Sequence, residues 1–498
     1  MSFSLIFLGC FWIFKGLNGS KTPSLYDVFI LSVIILISNI NKFVYWGVIF
    51  PVLILLALYI PIGSLYGQPS YESIISVFAT DVTEAKEFLK NIPSKLYLYS
   101  FLCIPFFVIS RFFLSDRKIL KKGQPIVLLA LIVFLLPKNL ISFQDKFVTE
   151  LSKVIKELNV LNGLAIKSDW GQSKLNDSSK YDDYVLIIGE SARRDYHNAY
   201  GYPVENTPFM SNSNGVLING FTSPRETTAA ALKLMLTKPN YEKQTEQYNF
   251  SLIDLIKSAG IETYWISNQG YLSGLDTPIA ALAKKSENKI FLKWGDYRAK
   301  NTSDNELLPK FKDVLNKKSS KKRFIVLHLY GSHPNPCDRL AGYPKIFKDS
   351  EVKPEYREIN CYISSIRKTD DFISKVYQML VAEKNNTGRT FSMVYFSDHG
   401  LNHTTVENNK IRMLHNKLRE QLTVPLFKIS SDDNERNVYT VFKSGMRFTE
   451  GLANWIGITN KNVNPNVDLF SNESDTDDQW LKKLLESRKE DPVIDIRP

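Results

Sequence analysis

Apolar positions are distributed unevenly along the chain. From residue 1 to about 145 they form long runs, and beyond that they fall into short blocks between polar stretches. Five runs stand out: SLIFLGCFWIF at 4–14, VFILSVIILIS at 28–38, VYWGVIFPVLILLALYIPIG at 44–63, LYLYSFLCIPFFVISRFFL at 96–114 and PIVLLALIVFLL at 125–136. Crossing the hydrocarbon core takes roughly 20 residues of helix, which the third and fourth supply. The others span only with polar flanks drawn into the interface. The pattern predicts a transmembrane helical domain of about five helices over 1–145. No small-residue cleavage site follows the first run, so it reads as a retained anchor. The basic loop RKILKK (117–122) is expected on the cytoplasmic side, which places the N-terminus inside, and the loop 64–95 and everything after 145 outside. In that outer loop, SIISVFATDVTEAKEFLKNI has apolar residues at helical spacing and predicts an amphipathic helix at the membrane surface.

Residues 146–180 read as a linker: a helical piece, FVTELSKVIKELNVLNGL, then a polar run. From 181 to 498 the pattern changes. YVLIIGES (184–191), TYWISN (263–268), RFIVLHLY (323–330) and FSMVYFSD (391–398) are buried-strand patterns with helical stretches between them. This alternation predicts an α/β/α domain with a mostly parallel sheet. In such sheets functional side chains gather at the carboxyl ends of strands. Glu190, His333 and the pair Asp398-His399 all fall at or just beyond strand ends. One strand-end acid alone is ordinarily a helix cap; three such sites together point to a metal centre.

Composition narrows the chemistry. A net charge of +11 comes from scattered Lys and Arg without any nucleic-acid motif, so nucleic acid is not the expected partner. Cys10 and Cys103 sit in apolar runs. Cys337 and Cys361 lie in the soluble part, and outside the cytoplasm a disulfide between them is expected, with two unpaired thiols as the alternative. All six histidines follow residue 181. His328 alternates within an apolar strand and reads as a core residue, whereas His333, His399 and His415 sit in loops or at strand ends. Oxygen and imidazole ligands without thiolate suit zinc, with manganese or magnesium as rivals. FTSPRETTAAALKLMLT (221–237) places two threonines at a helix start. Capping is the plain reading of such a threonine, but a helix N-terminus also favours phosphate, and a metal-activated hydroxyl there could attack phosphorus.

Glu190 in IIGES, a threonine opening a helix, GSH at 331–333, SDHG at 397–400 and LHN at 414–416 together resemble the alkaline phosphatase/sulfatase superfamily. Within it, GESARRDYHNAYGYP, NTPF, YWISNQ and HLYGSHP resemble the membrane-anchored phosphoethanolamine transferases of Gram-negative bacteria. The resemblance implies that Glu190, Asp398 and His399 bind zinc with the nucleophilic threonine. Thr228 is placed ahead of Thr227 for that role, and both stay open. His333 and His415 match residues that bind the phosphate or a second metal. Thr80 and Glu84 match a T-x-x-x-E pair that holds the ethanolamine head of the lipid donor, a spacing that puts both on one helix face.

The implied reaction has two halves. The threonine takes phosphoethanolamine from phosphatidylethanolamine at the inner membrane, forming a covalent phospho-threonine and releasing diacylglycerol. A periplasmic acceptor then receives the group: a lipopolysaccharide core sugar, lipid A or a periplasmic glucan. Thr423 stands where the lipid A-modifying branch has a histidine, LNHTT with His403 replaces an acidic run after SDHG, and at most one disulfide is available. These departures favour a core sugar or a glucan. Three alternatives are weighed against this. A sulfatase would need a C/S-x-P-x-R motif, absent from PRETTAAAL. A phosphoglycerol transferase would share the metal site and differ at Thr80 and Glu84. An inactive lipid-binding homologue would have lost ligands, and here every matched position is filled.

Overall fold

The computed structural model describes residues 2–19, 21–39, 41–80, 82–113, 136–163, 166–269, 277–292, 302–406 and 409–498. The chain divides into two compact units, residues 1–77 with 84–157, and 78–83 with 158–498.

The first unit is helical: α1 (Ser2–Leu17), α2 (Leu25–Ser38), α3 (Lys42–Tyr66), α4 (Tyr71–Ala79), α5 (Val82–Asn91), α6 (Ser94–Phe113) and α7 (Lys138–Gly163). Asn41 starts α3 by accepting the Phe43 and Val44 amides at 2.8 and 3.2 Å, which satisfies donors that a helix start leaves open. Ile6, Phe14, Leu31, Leu53 and Phe107 are among the residues of a shared apolar core. The outward faces of α3 and α6 remain apolar too, with Leu55, Leu58, Phe101 and Phe112 exposed. Two helices among the described residues, α3 with 25 residues and α6 with 20, are long and apolar enough to cross a membrane. Of the expected five, these two are met among the described residues; α1 and α2 are apolar but have 16 and 14 residues. The run 125–136, apart from Leu136, and the basic loop 117–122 lie outside the described residues.

Two sequence expectations are corrected here. The outer-loop helix is two helices, and Thr80 lies between α4 and α5 while Glu84 is in the first turn of α5. The two therefore do not share one helix face. Thr-Asp at 80–81 are residue types whose side chains compete with helical hydrogen bonds and favour helix starts. The stretch 146–180 is also not a separate linker. Its helical piece belongs to α7, and its polar run is built into the second unit. There Trp170 is fully buried, donating its indole N–H to the Ser251 carbonyl at 2.8 Å. Lys174–Leu175 pair antiparallel with Ile458–Thr459.

The second unit is built on an eight-stranded sheet. Its strands are β1 (Asp183–Gly189), β2 (Gly215–Ile218), β3 (Glu262–Ser267), β4 (Asn288–Phe291), β5 (Arg323–His328), β6 (Phe391–Ser397), β7 (Leu426–Ser430) and β8 (Arg436–Tyr439). They lie in the order β8-β2-β7-β6-β1-β5-β3-β4. All pairings are parallel except those of β7, which runs against β2 and β6. Alternate residues of each strand enter two different cores. Leu186, Ile188, Val394 and Phe396 pack with Leu232 and Met235 of α8 (Thr228–Met235). Val185, Ile187, Met393 and Tyr395 pack with Phe372 and Val376 of α9 (Arg357–Thr387). This is the period-2 alternation of a sheet covered on both faces, and it gives the expected α/β/α domain.

At the amino ends of the central strands, Asp183 takes a two-pronged bond from buried Arg323 (Nε 2.6 Å, Nη2 2.7 Å) and another from Arg389 (Nη2 2.8 Å, Nε 3.1 Å). Burial alone would raise the Asp183 carboxyl; the bonds and charges of Arg323 and then Arg389 outweigh it and hold the group below its ordinary value. Its folded pKa is thus depressed, so this stabilisation is complete above the unfolded carboxyl's value near 3.9 and is lost as pH falls below it. Asp183→Asn is expected to destabilise the unit by about 3–5 kcal/mol, because it strands Arg323 in the core. Denaturant unfolding of the full-length protein in detergent at pH 7 checks this, and the gap between variant and wild type should shrink towards pH 3.

Candidate active site

The site forms where β1 and β6 end. These strands are parallel neighbours with Gly189 opposite Ser397, so the next residues, Glu190 and Asp398, emerge side by side. Ser191 then turns the chain sharply with φ +58°, a left-handed conformation that costs a non-glycine residue energy. Three bonds hold that turn. The Ser191 amide donates to Asp398 Oδ1 at 3.0 Å, its hydroxyl donates to Glu190 Oε1 at 2.6 Å, and its carbonyl accepts from the Tyr362 hydroxyl at 2.6 Å. On the other side of β1, the loop after β5 rests directly on Glu190. Gly331 has φ +44°, and a Cβ there would meet the Glu190 backbone N and O at 3.0 Å. Only glycine fits that close approach. The loop then delivers His333, whose ring stacks on Tyr330 with centroids 4.8 Å apart.

Ligand atoms of Glu190, Asp398 and His399 lie within 4.8 Å of one another, and all three residues are buried. The His399 Nδ1 donates to the Gly400 carbonyl at 3.0 Å, which turns Nε2 towards Asp398 Oδ2 at 3.3 Å and the Thr228 hydroxyl at 3.2 Å. Thr228, the first residue of α8, also donates to Glu190 Oε2 at 2.9 Å. Thr227 precedes it as the backbone cap residue, but its hydroxyl makes no capping bond and has no partner among the described residues. The geometry brings Thr228 into the cluster. The two threonines are adjacent in sequence, and side-chain direction separates them.

The residues present fit a cation. Asp398 Oδ1 accepts from the Ser191 and His399 amides, whereas buried Oδ2 accepts no hydrogen bond among the described residues. Burial, and next the Asp398 charge, push the Glu190 carboxyl well above its usual range, against hydrogen bonds from Ser191 and Thr228. Two buried carboxylates this close are relieved by a proton or by a cation between them. Two carboxylates, an unprotonated imidazole nitrogen and a hydroxyl oxygen make a donor set for a divalent metal.

His415 sits beside this cluster, its ring centroid 5.1 Å from that of His399. Burial, with the neighbouring His399, lowers it to about 3, so it is neutral near pH 7. His328 is a core residue as expected, lowered to about 4 by burial and 3.3 Å from the Ser267 hydroxyl. His403 joins a different network, bonding Asp491 at 2.8 Å and Tyr196 at 2.6 Å. Cys337 and Cys361 form a disulfide, which ties the segment after His333 to α9.

Several contributors were not legible in the sequence. Gln269, in YWISNQ, donates to Glu190 Oε2 at 3.2 Å and to the Leu329 carbonyl at 2.9 Å. Ser191 and Tyr362 act as described above. Arg488 pairs with Glu226, two residues before Thr228, so the C-terminal stretch braces the segment that opens α8. Gln269 and Ser191 stand in the motifs quoted above; Tyr362 and Arg488 are single polar residues brought in from distant parts of the chain.

The sulfatase family matches residues 182–458. A Haemophilus influenzae protein, assigned provisionally by its name to the phosphoethanolamine transferases, is 45% identical over 400 residues, 79% of this chain and 81% of its own length. Phosphoethanolamine transferase OpgE of Escherichia coli is 33% identical over 438 residues, 82% of this chain and 79% of its own. Among solved structures, the integral membrane protein lipooligosaccharide phosphoethanolamine transferase A (EptA) from Neisseria meningitidis superposes with a TM-score of 0.64 at 18% identity, covering 92% of this chain and 95% of that one. The C-terminal periplasmic domain of EptC from Escherichia coli, in complex with Zn, gives 0.50 at 21% identity, covering 60% and 90%. The chain belongs to the sulfatase family and, within it, to the phosphoethanolamine transferases.

Proposed function

We propose that this protein transfers phosphoethanolamine from phosphatidylethanolamine to a cell-envelope glycan or lipid, through a covalent intermediate on Thr228. The observation that carries the reading is the Thr228 hydroxyl, 2.9 Å from Glu190 Oε2 and 3.2 Å from His399 Nε2 inside a buried group of ligand atoms. Glu190, Asp398, His399 and Thr228 would hold zinc, for which the donor set and the Zn complex of the EptC domain both argue. When bound, zinc lowers the pKa of a coordinated hydroxyl and neutralises developing phosphoryl charge. Glu190 and His399 orient Thr228 Oγ1 for attack on phosphorus. The bond to the diacylglycerol oxygen breaks, diacylglycerol leaves as the alcohol with the proton given up by Thr228, and an acceptor hydroxyl later displaces Thr228 Oγ1 and returns a proton to it. His333 and His415 are proposed to bind either the phosphoryl oxygens or a second metal. Thr80 and Glu84 are proposed to engage the ethanolamine head, a carboxylate being apt for an ammonium group.

The two long apolar helices, the membrane character in EptA's name and the Cys337–Cys361 disulfide support an inner-membrane anchor with the catalytic unit in the periplasm, where disulfides persist. Thr423 and the single disulfide favour a core sugar or a glucan as acceptor over lipid A.

Detergent-purified full-length protein incubated with phosphatidylethanolamine and zinc should carry a phosphoethanolamine adduct on the Thr228 peptide, read by mass spectrometry, and release diacylglycerol. The adduct should vanish in Thr228→Ala and persist in Thr227→Ala; no adduct and no diacylglycerol from zinc-loaded protein would remove phosphatidylethanolamine as donor. Metal analysis after mild chelation and dialysis should show about one zinc per wild-type chain and at least a tenfold weaker affinity in Asp398→Asn, since a first ligand is lost.

A further inference from the structure

Gln421 is fully buried, and it ties together the three segments that carry the site. Its carbonyl accepts from the Gly400 amide at 2.7 Å, next to His399. Its side-chain Oε1 accepts from the Asn416 and Lys417 amides at 3.2 and 2.9 Å, just after His415. Its side-chain nitrogen reaches the Glu226 carbonyl at 2.9 Å, two residues before Thr228, and His415 Nδ1 at 2.8 Å.

This network fixes where the His415 proton lies. Two backbone N–H donors on Oε1 set the amide orientation, so both hydrogens are on Nε2 of Gln421. One hydrogen serves the Glu226 carbonyl. The other points at His415 Nδ1, and two nitrogens 2.8 Å apart cannot both present hydrogens, so Nδ1 holds a lone pair. The Glu226 carbonyl lies farther from Nδ1, at 3.2 Å, and takes the first Gln421 hydrogen at 2.9 Å. The single ring proton is then on Nε2, and a protonated Nε2 donates a hydrogen bond and cannot ligate a metal.

We propose that Gln421 is a positioning residue of the transfer reaction: it holds His415 as the Nε2–H tautomer, making His415 a hydrogen-bond donor to the phosphoryl group rather than a ligand of a second metal. The proposal rests on the phosphoryl-transfer reading above and decides between the two roles that reading leaves to His415. Sequence could not show it, since nothing marks Gln421 apart from other surface-type polar residues.

Solid-state NMR of full-length, 15N-histidine-labelled, zinc-loaded protein tests it, with His415 assigned by its loss in His415→Asn. A lone-pair imidazole nitrogen and a protonated one are well separated in 15N shift. In wild type the protonated nitrogen should be Nε2. Gln421→Glu, which puts an acceptor against Nδ1, and Gln421→Met, which removes the donor without adding charge, should both switch the ring to Nδ1–H. Zinc content should not change. The rate constant kcat for diacylglycerol release should fall on the order of 100-fold, as for loss of one charge-stabilising donor, with KM for phosphatidylethanolamine within about twofold. Nδ1–H in the wild type, or a switched tautomer with unchanged kcat, overturns the proposal; the wild-type spectrum decides the tautomer even where a variant fails to fold. Wild-type protein that shows Nε2–H but releases no diacylglycerol would defeat the donor reading instead, so the two failures are distinct.

Discussion

Everything at this site depends on one pairing register. Because Gly189 lies opposite Ser397, two adjacent parallel strands release Glu190 and Asp398 at the same level. A slip of one residue would send every side chain of a strand to the opposite face. The register is held by apolar side chains on both faces of β1 and β6, which fill the two separate cores. The amino-end cluster of Asp183 with Arg323 and Arg389 anchors the other end of the same strands. The fold thus forces two carboxylates into a buried place where they repel, and a cation relieves them.

Around that pair the backbone is held in conformations that would not persist alone. Ser191 is left-handed, Gly331 packs against Glu190 without room for a side chain, and Gln421 bridges three loops. The C-terminal stretch around 488–491 braces these loops. Arg488 pairs with Glu226, and Asp491 bonds both Arg193 and His403. Burial would raise Asp491, but His403 and then Arg193 bring it down to about 2. Such supports are what keep reactive groups within the narrow geometry that transfer chemistry requires.

How much could be read beforehand follows from the physics of each element. The central strands were legible because burial on both faces makes them continuous apolar runs, and their ends marked Glu190, Asp398 and His399. The strands 215–218, 288–291 and 436–439 are only four residues long, too short for a pattern. The choice of Thr228 over Thr227 turns on side-chain direction at a helix start, which adjacency hides. The break at Thr80 and the integration of the polar run near Trp170 were missed because composition reports solubility, not long-range partners. Gln269 and Gln421 illustrate the same limit: their importance lies in contacts with residues far away in sequence.

The most direct test is crystallographic. Anomalous diffraction at the zinc edge, from crystals of the full-length protein grown with zinc, should give a peak bonded to Glu190, Asp398, His399 and Thr228 Oγ1, with no metal on His415. A zinc-loaded protein with no peak among those four residues would contradict the account.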